Sequence, residues 1–281
     1  MTVREALRQG RAVLGQLETA ALDSSLILAH SCGMSREKLY MELSSPVSPK
    51  AAEAYKAALA RRTDGEPVAY ITGRKEFWGL GFQVGPGVLC PRPDSEILIE
   101  TVLKEMDLLK NPGRLHDCCC GPGTLALALA AERPQWRIDA SDISDDAAFF
   151  FEKNNRTLAA GRVGFTKSNL MEGLEGPYDF IISNPPYLTP DETTEKMAEG
   201  WKEPALALDG GGKDGLDIIR RLIPRSFTRL KTSGRLLIEA HPLQMAPIGQ
   251  ILSETGFGDI QVFQDLAGLD RVVMGRKEQD S

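Results

Sequence analysis

No apolar run in the chain approaches the ~20 residues that a membrane-spanning helix needs. The opening residues, Met1-Thr2-Val3-Arg4-Glu5, carry acid early and lack a signal-peptide apolar region. A cytoplasmic protein with no membrane partner is the expectation. Positive charge is in deficit: 33 Lys and Arg face 39 Asp and Glu, a formal net charge of −6. That balance argues against life on nucleic acid, and no direct nucleic-acid binding is expected. There is no C-x-x-C pair and no His at finger spacing. Cys118, Cys119 and Cys120 are consecutive, but side chains alternate along a strand, so the three cannot converge on one metal. Small buried thiols are expected there, and no metal. The loop at 117–123 has only Gly-x-Gly where a dinucleotide site would want G-x-G-x-x-G, and no G-x-x-x-x-G-K-[ST] occurs for a P-loop. Internal repeats and low-complexity tracts are absent too.

What is present suits a globular protein of one large or two ordinary domains: 281 residues, 42% of them hydrophobic. The first third reads as helices. Thr2-x-x-Glu5 resembles a capping box, and Val3, Leu7, Val13, Leu14 and Leu17 follow at roughly helical spacing. A second helix is expected over 20–31, with Leu22, Leu26, Ile27 and a packed His30 on or near one face, stopped by Gly33. A short helix follows Ser35. Ser48-Pro49 reads as an N-cap with proline at the first helical position. Residues 1–75 are therefore expected to form a helical bundle with a docking role. Residues 76–90 read as an aromatic, glycine-rich β-hairpin linker, with Phe77 and Trp78 in its core. The rest, 91–281, is the candidate catalytic domain.

From Gly113 onward, strands alternate with helices, the mark of a mostly parallel sheet. Strands are expected over 114–118, 136–140, 163–166, 180–183 and 236–240. A closing pair is expected over 260–263 and 271–274. Helices are expected over 97–109, 124–132, from Ser144 to 158, over 213–231 with a kink at Pro224, and up to Thr255. The tail, 277–281, is polar and expected to fray.

Two stretches carry chemistry. Asp117-Cys118-Cys119-Cys120-Gly121-Pro122-Gly123 joins the first of these strands to a helix, and its glycines allow backbone to approach a ligand. Asp142 ends the next strand, where an acid takes a ribose hydroxyl in nucleotide-binding folds. The pair suits S-adenosylmethionine, which has a ribose and an amino-acid end but no phosphate; a tight structural turn is the plain alternative. The second stretch is Asn184-Pro185-Pro186-Tyr187, at the end of an apolar strand. Each proline fixes φ and lacks an N–H, which stiffens the segment. The Asn184 side-chain oxygen and the Pro185 carbonyl can accept both N–H hydrogens of a planar nitrogen, with Tyr187 packed against the planar group. A strand-ending turn is again the alternative.

Together with other segments, these residues resemble the HemK/PrmC protein-glutamine methyltransferases along essentially the whole chain. The matching segments are Glu66-Pro67-Val68-Ala69-Tyr70-Ile71-Thr72-Gly73, Glu76-Phe77-Trp78-Gly79-Leu80, Pro91-Arg92-Pro93, Asn184-Pro185-Pro186-Tyr187, Glu203-Pro204-Ala205-Leu206-Ala207-Leu208, Asp214-Gly215-Leu216-Asp217 and Asp265-Leu266-Ala267-Gly268-Leu269-Asp270-Arg271. The resemblance implies an α/β, Rossmann-like class I S-adenosylmethionine-dependent methyltransferase with a seven-stranded mixed sheet. Its implied substrate is the glutamine of the Gly-Gly-Gln loop of peptide chain release factors, methylated on the side-chain amide nitrogen. Residues Asp117, Cys118, Cys119, Cys120, Gly121 and Gly123 would hold the methionine end, Asp142 the ribose, and Asn169 and Leu170 would border the adenine. Asn184, Pro185, Pro186 and Tyr187 would hold the substrate, with Asn184 also beside the cofactor. The chain departs from the family pattern at Cys119, where glycine is usual, at Asn169, where aspartate is usual, at Asp94-Ser95-Glu96 and at Cys90. Alternatives are glutamine methylation of a ribosomal protein, N6-adenine methylation, and a non-catalytic cofactor-binding adaptor. Asp179 and Glu203 are assigned no base role.

Overall fold

A computed structural model describes residues 1–15 and 17–278. The expected fraying of the tail falls partly on residues 279–281, outside the described residues. The described chain divides into two units, one of residues 1–74 with 196–202 and the other of the remainder.

In the first unit, α1 (Val3–Val13) starts at a reciprocal capping box: Thr2 N–H donates to Glu5 Oε2 at 2.8 Å and Glu5 N–H to Thr2 Oγ1 at 3.3 Å. α2 (Ala20–Cys32) stops at Gly33, at φ +65°. α3 (Arg36–Met41) and α4 (Pro49–Thr63) are capped by the Ser35 and Ser48 hydroxyls, each cap worth about 1 kcal/mol. α5 (Val68–Thr72) was not anticipated, because five residues are too few to show a period. The core gathers Ile27, Leu28, Leu39, Tyr55 and Leu59. A Cβ on Gly10 would lie 1.8 Å from the Tyr55 hydroxyl, so only glycine lets α1 lie against that ring. His30 and Leu22 are exposed, not packed. The buried face of α2 runs instead through Asp23, Ser24, Ile27 and Leu28. Polar residues disguised it: Asp23 is buried because Arg62 Nε donates to its Oδ2 at 2.8 Å.

The second unit opens with a two-stranded ribbon, β1 (Arg74–Phe77) and β2 (Leu80–Gln83). Phe77 and Phe82 are buried, while Trp78 is half-buried and its indole N–H donates to Glu132. α6 (Glu96–Asp107) leads into β3 (Arg114–Cys118). Then come α7 (Thr124–Glu132), β4 (Arg137–Asp142), α8 (Asp145–Leu158), β5 (Gly164–Lys167), β6 (Tyr178–Ser183), α9 (Pro190–Ala198), α10 (Asp217–Arg229), β7 (Leu230–Glu239), α11 (Met245–Thr255), β8 (Phe257–Gln264) and β9 (Asp270–Lys277). The seven strands β3–β9 hydrogen-bond in the order β5-β4-β3-β6-β7-β9-β8. β3 to β7 run parallel, and β9 is antiparallel to both its neighbours. This is the seven-stranded mixed sheet of a class I methyltransferase fold.

β7 begins six residues earlier than expected and takes over the end of the expected helix, whose observed span is only 217–229. Pro224 lies inside that helix. α9 was missed because Pro190-Asp191-Glu192-Thr193-Thr194-Glu195-Lys196-Met197-Ala198 has no apolar stripe; Thr193 alone is buried. The core under α10 and α11 includes Ile219, Leu222, Ile223, Ile248 and Leu252, against Ile181 and Leu236 of the sheet.

Candidate functional site

Sheet register brings the candidate residues to one line. Cys118 pairs with Ser141 on one side and with Ser183 on the other. Ser183 in turn pairs with Ile238, and Asp142 with Lys167. One step beyond this line stand Cys119, Asp142, Asn184 and Glu239. The chain order reverses between β3 and β6, and at such a switch point open α/β sheets bind ligands beyond the carboxyl ends of their strands.

A cavity of about 320 Å³ lies there. It is lined by Cys119, Cys120, Gly121, Asp142, Asn169, Leu170, Asn184 and Pro186 from the expected set. Asp117, Cys118, Gly123, Pro185 and Tyr187 are not among the lining residues. Asp117 is fully buried behind the loop, where its Oδ2 accepts from Ala126 N–H at 3.0 Å and its Oδ1 has no partner. Desolvation pushes its pKa up to about 8, with the Ala126 amide opposing. Gly123, at φ +87°, gives the loop its turn; a Cβ there would lie 2.7 Å from the Phe151 ring. Tyr187 packs against the hydrophobic core, and that burial raises its pKa. Pro185 is buried, and among the described residues no backbone N–H bonds its carbonyl.

The loop after β3 is fastened to the end of β4. Cys120 N–H donates to Ser141 O at 3.1 Å, and Gly121 N–H to Asp142 Oδ2 at 2.8 Å. Ser144 N–H donates to Asp142 Oδ1 at 2.9 Å. Desolvation raises the Asp142 pKa, and these amides resist the rise. Cys119 sits at φ +61°, in the left-handed region. Cys118 and Cys120 are buried, Cys119 half-buried. The Cys119 thiol is held protonated by its hydrogen bond with Cys118 and by burial, and Cys120 by burial and then Asp142. No group of three or more His, Cys, Asp or Glu fit to hold a metal occurs among the described residues.

After β5, Asn169 Oδ1 accepts from Arg221 at 3.0 Å, and the Asn169 carbonyl accepts from Arg225 at 3.3 Å. Leu170 is left-handed at φ +57°, and its carbonyl accepts from the buried Ser141 hydroxyl at 3.1 Å. After β6, Asn184 Nδ2 donates to Ser95 Oγ at 3.2 Å. This leaves the Asn184 side-chain oxygen as an acceptor beside the cavity.

Sequence reasoning missed several lining residues, among them Ser95, Leu89, Leu206 and Arg221. It quoted Arg92 and Glu203 without a role. Glu203 is buried, accepts from Cys90 N–H at 2.9 Å and pairs with Arg92, so it ties two lining segments together and is no free base. Asp179 stands near the opposite ends of the strands, where it accepts from Arg114 N–H and from Lys231. Glu239 had one usable signal, the same as Asp142: an acid ending an apolar strand.

Among family models, the PrmC N-terminal domain matches residues 5–73 and the methyltransferase small domain matches residues 86–213. The chain is 34% identical over 285 residues to the release factor glutamine methyltransferase of Moorella thermoacetica, covering 100% of both chains. It is 32% identical to the release factor glutamine methyltransferase of Escherichia coli, over 99% of this chain and 100% of that one. The fold is similar to a methyltransferase from Pyrococcus furiosus, with TM-score 0.55 and 16% identity over 80% of this chain and 98% of that one. It is also similar to a 16S rRNA methyltransferase of T. Thermophilus in complex with AdoMet and guanosine, with TM-score 0.56 and 20% identity over 73% and 50%.

Proposed function

The chain belongs to the release factor glutamine methyltransferase family, and from that premise we propose that it methylates the side-chain amide nitrogen of the glutamine in the Gly-Gly-Gln loop of peptide chain release factors. The methyl donor is S-adenosylmethionine, and the reaction takes place in the cytoplasm. The observation that carries this reading is that Asn184 and Asp142 line one cavity, in a chain aligned end to end with enzymes of that name.

The residues present fit the donor. The loop 117–123 holds no cation for a phosphate. Each Asp142 oxygen takes one backbone amide and keeps a second lone pair for a ribose hydroxyl. Leu125, Ile143 and Leu170 give the cavity an apolar wall for an adenine. Cys119, Cys120 and Gly121 present backbone to the methionine end, while Asp117, Cys118 and Gly123 support the loop from behind. When bound, S-adenosylmethionine supplies a methyl group activated by its sulfonium.

The chain's own part is alignment and charge stabilisation. An amide nitrogen is a weak nucleophile because its lone pair is delocalised. The Asn184 oxygen accepts one N–H of the substrate amide and the Pro185 carbonyl the other. Both bonds strengthen as the nitrogen becomes positive, so they favour the transition state over the ground state. The nitrogen then sheds a proton to solvent. Pro186 forms part of the wall, and Tyr187 braces the segment from the core. The helical unit of residues 1–75 helps to grip the release factor.

The test is incubation of the purified protein with methyl-labelled donor and purified release factor. Label is expected on the Gly-Gly-Gln glutamine and absent when that glutamine is replaced. Label found only in nucleic acid or a ribosomal protein, with release factor inert, overturns the reading.

A further inference from the structure

Glu239 ends β7 and has no part in the chemistry above. It is only 2% exposed, and its Oε2 has no hydrogen-bond partner. Because Ser183 pairs with Ile238, Asn184 and Glu239 are the next residues on adjacent parallel strands. Ser95 is buried and takes the Asn184 Nδ2–H on its hydroxyl oxygen. Desolvation pushes the Glu239 pKa up to about 7; hydrogen bonding from the Ser95 side chain, the charge of Arg271 and, least, hydrogen bonding from the Asn184 side chain hold it down, and Asp94 adds to the rise. Tyr187 also faces it, since the Glu239 charge adds to the rise of the Tyr187 pKa.

Hydrogen-bond inventory then sets a direction. A serine hydroxyl has one hydrogen to donate, and an ionised carboxylate only accepts. With the Asn184 N–H already on the Ser95 oxygen, the Ser95 hydrogen is left for the carboxylate. A side-chain amide turned the other way would set its oxygen against the Ser95 oxygen and withdraw the donor that the buried acid requires. It would also point N–H at the substrate's N–H.

We propose that Glu239 and Ser95 act as a positioning pair that locks the Asn184 amide with its N–H side toward them and its oxygen toward the cavity. The idea rests on the methyl-transfer reading for its consequence in rate, but the lock itself is a property of the protein alone.

Two measurements test it, after thermal melts confirm folding. Ser95→Ala should lower kcat about tenfold, with KM and the donor Kd within about twofold of the parent, and Ser95→Thr should restore most of the rate. A Ser95→Ala protein at the parental rate overturns the proposal. So do Ala and Thr variants that are equally slow and weak in donor binding, which would make Ser95 a wall only. The second measurement needs no activity. The ¹⁵N resonance of the Asn184 side-chain amide, assigned by its loss in Asn184→Ala, should move as pH crosses about 7, and should stop moving in Glu239→Gln. A resonance indifferent to pH, or moving equally in Glu239→Gln, overturns the lock. If the parent fails to methylate release factor, the functional reading falls while the resonance still decides the lock.

Discussion

The Gly121 N–H donates to Asp142 Oδ2 at 2.8 Å, so the acid that ends β4 fastens the loop that ends β3. Its other oxygen takes the Ser144 N–H at the start of α8. One carboxylate thus holds two sides of the cavity before any ligand arrives. Asp142→Ala should therefore cost stability as well as affinity. Loss of two charge-assisted bonds, partly made good by water, should remove about 2–3 kcal/mol in denaturant titration. Donor affinity should fall at least about tenfold by calorimetry. Asp142→Asn keeps an acceptor oxygen and should lose roughly half as much as Asp142→Ala. An Ala variant as stable as the parent would mean that the carboxylate serves the ligand alone.

Cys119 stands at φ +61°, in the left-handed region that favours glycine. An L-residue in the left-handed region is strained by about 1–2 kcal/mol. Glycine relieves that but adds about 0.4–1 kcal/mol of unfolded-state freedom. Cys119→Gly should therefore melt at or above the parental temperature, by about 0–1 kcal/mol, and retain donor binding. Cys119→Val, β-branched in the same backbone, should melt clearly lower. A destabilised glycine variant would show that the thiol's contacts with Cys118 and the core outweigh the strain.

The fold was largely legible because the period changes from helical to alternating strand and helix at Gly113. β3 and α7 were placed residue for residue, since both are bounded by glycine turns or a sharp change in polarity. α9 was hidden by its polar surface. The start of β7 at Leu230 was hidden because Leu230 and Lys231 were read as the end of the preceding helix, and the strand passes through a left-handed Ser233 at φ +65°. At the site, Asp142 and Asn184 could be read because strand ends point at ligands. Ser95 could not, because its contact with Asn184 is distant in sequence, and Glu239, an acid ending an apolar strand like Asp142, was passed over. The change at Cys119 was visible, but its backbone angle was not.

Asp117 offers a pH test with a definite sign. Burial raises its pKa from 3.8 to about 8. An acid with a raised folded pKa contributes stability that is fully present below the unfolded pKa and lost as pH rises through the folded one. The window therefore runs from about pH 4 to about pH 8. Asp117→Asn keeps an acceptor for the Ala126 amide and cannot ionise. Its stability relative to the parent should rise steadily across that window in denaturant titrations. A difference independent of pH would show that Asp117 does not titrate on folding.

Asn184 gives the sharpest test of mechanism. On the proposed mechanism, Asn184→Ala removes one of two acceptors for the substrate amide. By analogy with loss of one preorganised oxyanion donor, about 2.7–4 kcal/mol should go, roughly a hundred- to thousandfold in kcat. Asn184→Asp keeps the shape and an acceptor oxygen, but it places a second carboxyl beside buried Glu239. Two carboxyls that close cannot both ionise cheaply, so the pair should share a proton over a raised range. The protonated aspartic acid mimics asparagine, donating to Ser95 and presenting its other oxygen to the substrate. The ionised form repels Glu239 and loses the donor. Asn184→Asp should therefore outpace Asn184→Ala near about pH 6 and lose that advantage as pH rises to about 9. Rates of both variants across that range, with melts to confirm folding, decide the matter. Two variants equally slow at every pH would assign Asn184's value to its donor side, and variants as fast as the parent would make Asn184 structural.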